Sequence, residues 1–148
     1  MLMVHVANDS VALANRLRPV LLRLARHVRR EAAELGITAG QSALLAQIED
    51  QPGITARELA DHERISAPGM SAHLDRLETA DLIVRTRGSD RRRVGLTLSP
   101  KGRRVLKSVR AQRTAWLAER LEGLDEADRC AIEEAIGPLA RLLGQDGA

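Results

Sequence analysis

The sequence predicts a mainly α-helical protein with one small β-hairpin, and three observations carry that reading. Phe and Tyr are absent and Trp116 is the only aromatic, so Leu, Ala, Val and Ile must fill the core, a composition that favours helix over strand. Apolar residues recur at spacings of three and four along most of the chain, the repeat of one helical face. A single stretch, Val94-Gly95-Leu96-Thr97-Leu98, alternates with the period of a half-buried strand. A length of 148 residues fits one domain, residues 1–148.

Asp9 or Ser10 caps a first helix reaching about Leu35, with Leu17, Leu21, Leu24 and Val28 as its stripe and Gly36 ending it. Pro19 either kinks this helix or stands in the first turn of its regular part. Thr38 and Gln41 form a capping box for the second helix, whose apolar face is Leu44, Leu45 and Ile48. Pro52-Gly53 is a turn, and Ile54 is at most a very short strand. Thr55 and Glu58 cap a short third helix to about His62. After a break at Glu63 to Ile65, Ser66 caps a fourth, with Pro68 in its first turn. Met70, Leu74 and Leu77 form its buried stripe, leaving Ala67, Ser71, Ala72, Asp75 and Arg76 outward.

Leu82-Ile83-Val84 begins a hairpin whose polar tip runs from Thr86 to Arg93 around Gly88-Ser89-Asp90. Ser99-Pro100 opens a long fifth helix with Leu106, Val109, Trp116, Leu117 and Leu121 on its apolar side. Gly123 ends it and Asp125 caps a sixth, carrying Ile132, Ile136, Leu139, Leu142 and Leu143. Cys130 lies in that helix and reads as a small buried hydrophobe, with a redox sensor as the alternative.

Charge is polarised. Residues 85–110 hold ten basic residues and one acid, Asp90, for a local charge of +9; the remaining 13 basic and 19 acidic residues carry −6. That is an electrostatic footprint for a polyanion. Two short helices with a tight break, the second led by small residues, form a helix-turn-helix, and the major groove of B-DNA admits one helix. Ser66, Ala67, Pro68, Gly69, Ser71 and Ala72 lead that helix, with His73 and Arg76 further along it. The hairpin is then a wing. Arg91, Arg92 and Arg93 suit the negative potential of a narrow minor groove, and Asp90 either orients a neighbouring guanidinium or serves as a turn residue.

These segments resemble the MarR family of bacterial winged-helix regulators. The resemblance rests on Thr55-Ala56-Arg57-Glu58-Leu59-Ala60, on Leu74-Asp75-Arg76-Leu77-Glu78, and above all on Ser89-Asp90-Arg91-Arg92 followed by Val94 to Gly102. The last segment is similar to the family's wing signature: an Asp-x-Arg tip, an alternating strand, then Thr or Ser, a variable pair and Gly. The resemblance implies a winged helix-turn-helix lobe at 38–99 and a helical dimerisation region at 9–36 and 100–143. It implies a triangular homodimer, usually a repressor, on a pseudo-palindromic operator in double-stranded DNA. It assigns Arg92 to the minor groove, Asp90 to holding the wing, the start of the Ser66 helix to the major groove, and Arg76 to a phosphate or base. It also implies a small, often aromatic or phenolic, effector between the dimer helices and the lobe, where His27, Leu45 and Trp116 lie on suitable helices. With Trp116 as the only aromatic, stacking on such a ligand is limited. The oxidation-sensing members use a Cys near the start of the chain, and none stands there.

Other functions find less support. No Ser-His-Asp arrangement, Gly-rich phosphate loop or carboxylate pair points to an enzyme. His5, His27, His62 and His73 have no ligand spacing, so neither a metal site nor a cofactor is expected. A winged-helix protein-interaction module without an operator and a metal-gated regulator are the alternatives. No run of 18 apolar residues predicts a membrane helix, Met1 to Asp9 lacks the pattern of a secretory leader, and a lone cysteine suits the cytoplasm.

Overall fold

The computed structural model describes residues 2–31, 33–87 and 93–144, with side chains from residue 9 onward. Its elements are α1 (Leu2–Arg30), α2 (Ala39–Asp50), β1 (Ile54–Thr55), α3 (Ala56–Glu63), α4 (Ala67–Thr79), β2 (Ile83–Arg87), β3 (Val94–Leu98), α5 (Pro100–Glu122) and α6 (Glu126–Arg141), plus a single 3-10 turn at Ala33–Leu35. The predicted class, mainly helical with a small β element, is the observed one. The chain divides into two compact units at Arg113–Thr114.

The first unit holds the core, and the core lies between Ile37 and Val109. Leu44, Leu45 and Ile48 of α2, Leu59 and Ala60 of α3, and Met70, Leu74 and Leu77 of α4 converge on Ile54, Ile83, Leu96 and Leu98 of the sheet and on Leu106 and Val109 of α5. Local signals place the helix starts. Thr38 accepts from the Gln41 backbone N–H at 3.1 Å while the Gln41 side chain accepts from Thr38 N–H at 2.9 Å. Thr55 and Glu58 repeat that arrangement at 3.2 and 2.8 Å. Each box satisfies two donors that a helix end otherwise leaves open.

The sheet is antiparallel in the order β1-β3-β2. The expected two-stranded hairpin is therefore three-stranded. Ile54 pairs with Leu96 and Thr55 with Gly95, although β1 is only two residues long. Gly95 makes this possible, since a Cβ there would lie 2.9 Å from the Cα and carbonyl oxygen of Gly53. Gly95 is thus buried, whereas Val94 is exposed, so burial along β3 departs from simple alternation. The ladder also claims Thr86 and Arg87, which the sequence assigned to the tip.

At its N-terminal side the unit departs further from expectation. α1 begins at Leu2, so Asp9 and Ser10 lie inside the helix and do not cap it. Pro19 is interior, well past the first turn. The helix ends at Arg30, and Gly36, at φ +71°, follows the 3-10 turn. α1 leaves Val11, Leu13, Val20, Leu21, Leu22 and Leu24 exposed.

The second unit contains the end of α5 and all of α6. The Arg120 guanidinium stacks 3.7 Å from the centre of the Trp116 ring, and Asp125 caps α6 by accepting from Asp128 N–H at 2.8 Å. Ile132, Ile136, Leu142 and Leu143 are exposed in the single chain. Cys130 is exposed too, contrary to the buried reading, because it lies on a stretch of α6 whose residues from Glu126 to Glu134 are all exposed.

Candidate nucleic-acid interface

The geometry of the helix-turn-helix follows from three neighbouring residues. Arg64 ends α3 in the left-handed region, φ 53°, and its N–H reaches back to Ala60 and Asp61. Ile65 is half-buried against the core. Ser66 then caps α4 by accepting from Gly69 N–H at 3.3 Å. A Cβ at Gly69 would lie 3.1 Å from both Ile65 and Ser66 side-chain atoms, so the tight turn favours a residue without one.

Met70, Leu74 and Leu77 are fully buried and fix the rotation of α4 about its axis. The opposite face presents Ser66, Ala67, Pro68, Ser71, Ala72, Asp75 and Arg76 to solvent, while Gly69 and His73 are half-buried. Arg76 makes no ion pair among the described residues. Small side chains at the leading end and a cation one turn later suit a helix that enters a groove with its N-terminus foremost.

The wing stem stands beside this helix. Its tip residues Asp90, Arg91 and Arg92, which the sequence singled out, lie outside the described residues. Arg93 is described and exposed, and its guanidinium donates to both Glu58 oxygens, at 3.0 and 3.2 Å. Glu58 is thereby shared between the α3 cap and the wing. Thr55 N–H and then the Thr55 hydroxyl hold its carboxyl below the ordinary glutamate range, with Arg93 and His62 adding smaller effects in the same direction.

Arg85 is a residue that sequence reasoning counted only as charge. From β2 its Nε donates to Glu78 at 2.8 Å and its terminal nitrogen to Asp75 at 2.7 Å, bridging two acids of α4. An acid pair three apart on the outward face of a helix, followed by a lone Arg entering a strand, was the available signal. Elsewhere in the basic segment Arg110 pairs with Glu49 at 2.6 Å, and Lys101 and Arg103 donate to the Ala80 and Leu98 carbonyls. Five of the eight described basic residues of this segment thus have partners within the fold. The +9 counted along the chain is offset in space by Glu49, Glu58, Asp75 and Glu78, all from earlier elements.

Of the residues suggested for an effector pocket, His27 lies on α1, Leu45 is fully buried in α2 and Trp116 lies in the second unit; within the first unit an open pocket of about 530 Å³ stands beside α1. That pocket is lined by Leu22, Ala25, Arg26, Arg29, Arg30, Ala33, Thr38 and Ala39. Among the described residues no group of three His, Cys, Asp or Glu side chains could hold a metal ion. No described helix is long and apolar enough to cross a membrane.

A helix-turn-helix whose second helix carries a small-residue leading end, joined to a three-stranded sheet with a projecting hairpin, defines the winged helix-turn-helix class of DNA-binding proteins. Comparison with known proteins narrows the class. The MarR family model matches residues 35–93. The solved structure of a candidate transcriptional regulator from Pseudomonas aeruginosa PA01 superposes with a TM-score of 0.81 at 34% identity, covering 95% of this chain and 99% of that one. An HTH-type transcriptional regulator of Mycobacterium tuberculosis is 27% identical across 93% of this chain and 97% of its own length. The HTH-type transcriptional repressor MdtR of Bacillus subtilis is 29% identical across 75% and 72%. The chain belongs to the MarR family and is an HTH-type transcriptional regulator.

Proposed function

We propose that this regulator binds a pseudo-palindromic operator as a homodimer and represses transcription, releasing DNA in response to a small effector. The observation that carries the DNA-binding part is the two-sidedness of α4. Three fully buried residues turn its other face outward, and that face holds Ser66, Ala67, Pro68, Ser71, Ala72 and Arg76. In this reading α4 enters the major groove, Gly69 and His73 line its edge, and Arg91 and Arg92 carry the wing into the adjacent minor groove with Asp90 orienting them.

The lobe at 38–99 then does the reading, and the helical segments 9–36 and 100–143 form the dimerisation region. Support comes from the apolar side chains that α1 and α6 each leave exposed in the single chain, since soluble monomers rarely leave such faces open. The repressor assignment is supported by the Bacillus subtilis relative, which is named as a repressor. The effector rests on the family resemblance.

Selecting duplexes from a randomised pool with the full-length protein tests the proposal. The expected product is an inverted repeat with half-sites about 10 bp, or a multiple of that, apart. Arg92→Ala should weaken binding to that duplex by roughly 1–3 kcal/mol without dissociating the dimer. Equal affinity of the variant and the wild type would remove Arg92 from the interface.

A further inference from the structure

We infer that Arg85 and Arg93 are positioning residues that fasten the two legs of the wing to the two helices of the helix-turn-helix, and that they are not phosphate contacts. The inference rests on the DNA-binding reading above and takes Arg93 out of the set of contacts the sequence suggested.

The pairing is reciprocal in the fold. Arg85 lies on the β2 leg and reaches forward to α4, through Asp75 at 2.7 Å and Glu78 at 2.8 Å. Arg93 stands just before the β3 leg and reaches back to the start of α3, through both Glu58 oxygens. Each leg is thus tied to a different helix. The ladder needs this help. β1 braces β3 only at Gly95 and Leu96, so the Arg87–Val94 pair begins a two-stranded ribbon beyond it. Such a ribbon is marginal by itself in water.

Arg85 is also placed where a phosphate contact is disfavoured. It shares the face of β2 that carries buried Ile83, its side chain is only 31% exposed, and two of its donors are committed. Asp75 and Glu78 are like charges three residues apart and would repel each other and a nearby phosphate. One guanidinium forks across both, which a lysine ammonium on a flexible stem cannot reproduce. The bridge therefore offsets one of the two negative charges on the face of α4 that approaches DNA and relieves the repulsion between them. It also sets the spacing between that helix and the hairpin.

The test uses full-length protein with two probes: a duplex that the wild type selects from a randomised pool, and a random-sequence duplex of equal length. Asp75→Asn with Glu78→Gln raises the net charge by two. Simple electrostatics then predicts tighter binding to both probes. The positioning role predicts a loss of roughly three- to tenfold on the selected duplex only, the scale of a few weak exposed pairs. Arg85→Lys keeps the charge and should show the same loss. Glu58→Gln preserves the capping box, because Gln serves at that position, and frees Arg93; it too should weaken the selected duplex. Melting temperatures near wild type confirm that the variants fold. Unchanged or tighter binding of the selected duplex by the double variant, or full activity of Arg85→Lys, overturns the inference. A wild type that retains no duplex overturns the DNA-binding reading itself.

Discussion

Adding one methyl group at Gly102 should destabilise this protein more than most core truncations of similar size. Gly102 lies in the first turn of α5, and a Cβ there would sit 2.0 Å from the Leu82 carbonyl oxygen and 2.9 Å from its carbon. The two backbones would have to part by about 1 Å, in an interior packed too densely to absorb it. Their junction is held by Ser99. Its N–H donates to Leu82 O at 3.0 Å, its hydroxyl donates to Asp81 O, and the same hydroxyl accepts from Gly102 N–H at 2.9 Å. Overpacking costs about 1–3 kcal/mol. Losing the two bonds from Ser99 to the Asp81–Leu82 backbone costs about 1 kcal/mol each. Replacing Gly by Ala in a helix returns about 1 kcal/mol. The net expectation for Gly102→Ala is a loss of about 2–4 kcal/mol, or a melting temperature lower by roughly 5–15 °C for a chain of this size. Gly40→Ala is the control. It makes the same substitution in the first turn of α2, where the new Cβ would lie at an ordinary 3.9 Å from the Thr38 hydroxyl, and it should gain about 0.5–1 kcal/mol. Thermal melts of the two variants should move in opposite directions. A Gly102→Ala protein as stable as wild type would refute the argument that this close approach fixes the junction.

Leu74→Ala removes a fully buried side chain from the stripe that orients α4 and should cost about 2–5 kcal/mol in urea titrations; a loss below about 0.5 kcal/mol would place the helix differently. Glu58 has its folded-state pKa lowered, so its contribution is present above the unfolded value and is lost as pH falls through the folded one. Glu58→Gln should therefore flatten the acid limb of the stability profile, and melts from neutral pH down through the carboxylate range would show an unchanged limb if the pairing were absent. Arg64→Gly should raise stability by up to about 1 kcal/mol, since relief of a left-handed non-glycine residue outweighs the added chain entropy; a lower melting temperature would show that the Arg64 side chain contributes contacts of its own.

The features legible in the sequence were those written within one turn of chain. Thr38 with Gln41, Thr55 with Glu58, Ser66 and Asp125 each announce a helix start because the capping atoms lie three residues apart. The buried stripe of α4 was legible for the same reason. Asp9 and Ser10 misled because a residue that caps well also tolerates a helical interior when nothing upstream breaks the helix. The very short strand allowed at Ile54 could not be placed in the sheet from two residues, since its pairing depends on β3 and on the missing side chain at Gly95. The pairing of the basic segment with earlier acids escaped the sequence for a related reason. Arg93 and Glu58 are 35 residues apart, and no count along the chain shows that they meet.

That last difference bears on how the lobe holds its two DNA-facing parts. α4 is oriented by fully buried apolar side chains, whose packing carries no charge for salt to screen. The wing stem is held against the same helices partly by exposed ion pairs at Arg85 and Arg93, which salt weakens. Added salt therefore acts on this protein in two ways. It competes at the phosphates, as for any DNA-binding protein, and it loosens the ties that set the wing relative to α4. The first effect lowers affinity for every duplex alike. The second falls only on sequences that need the helix and the wing in register, and on the positioning role inferred for Arg85 and Arg93 it acts through residues that touch no DNA.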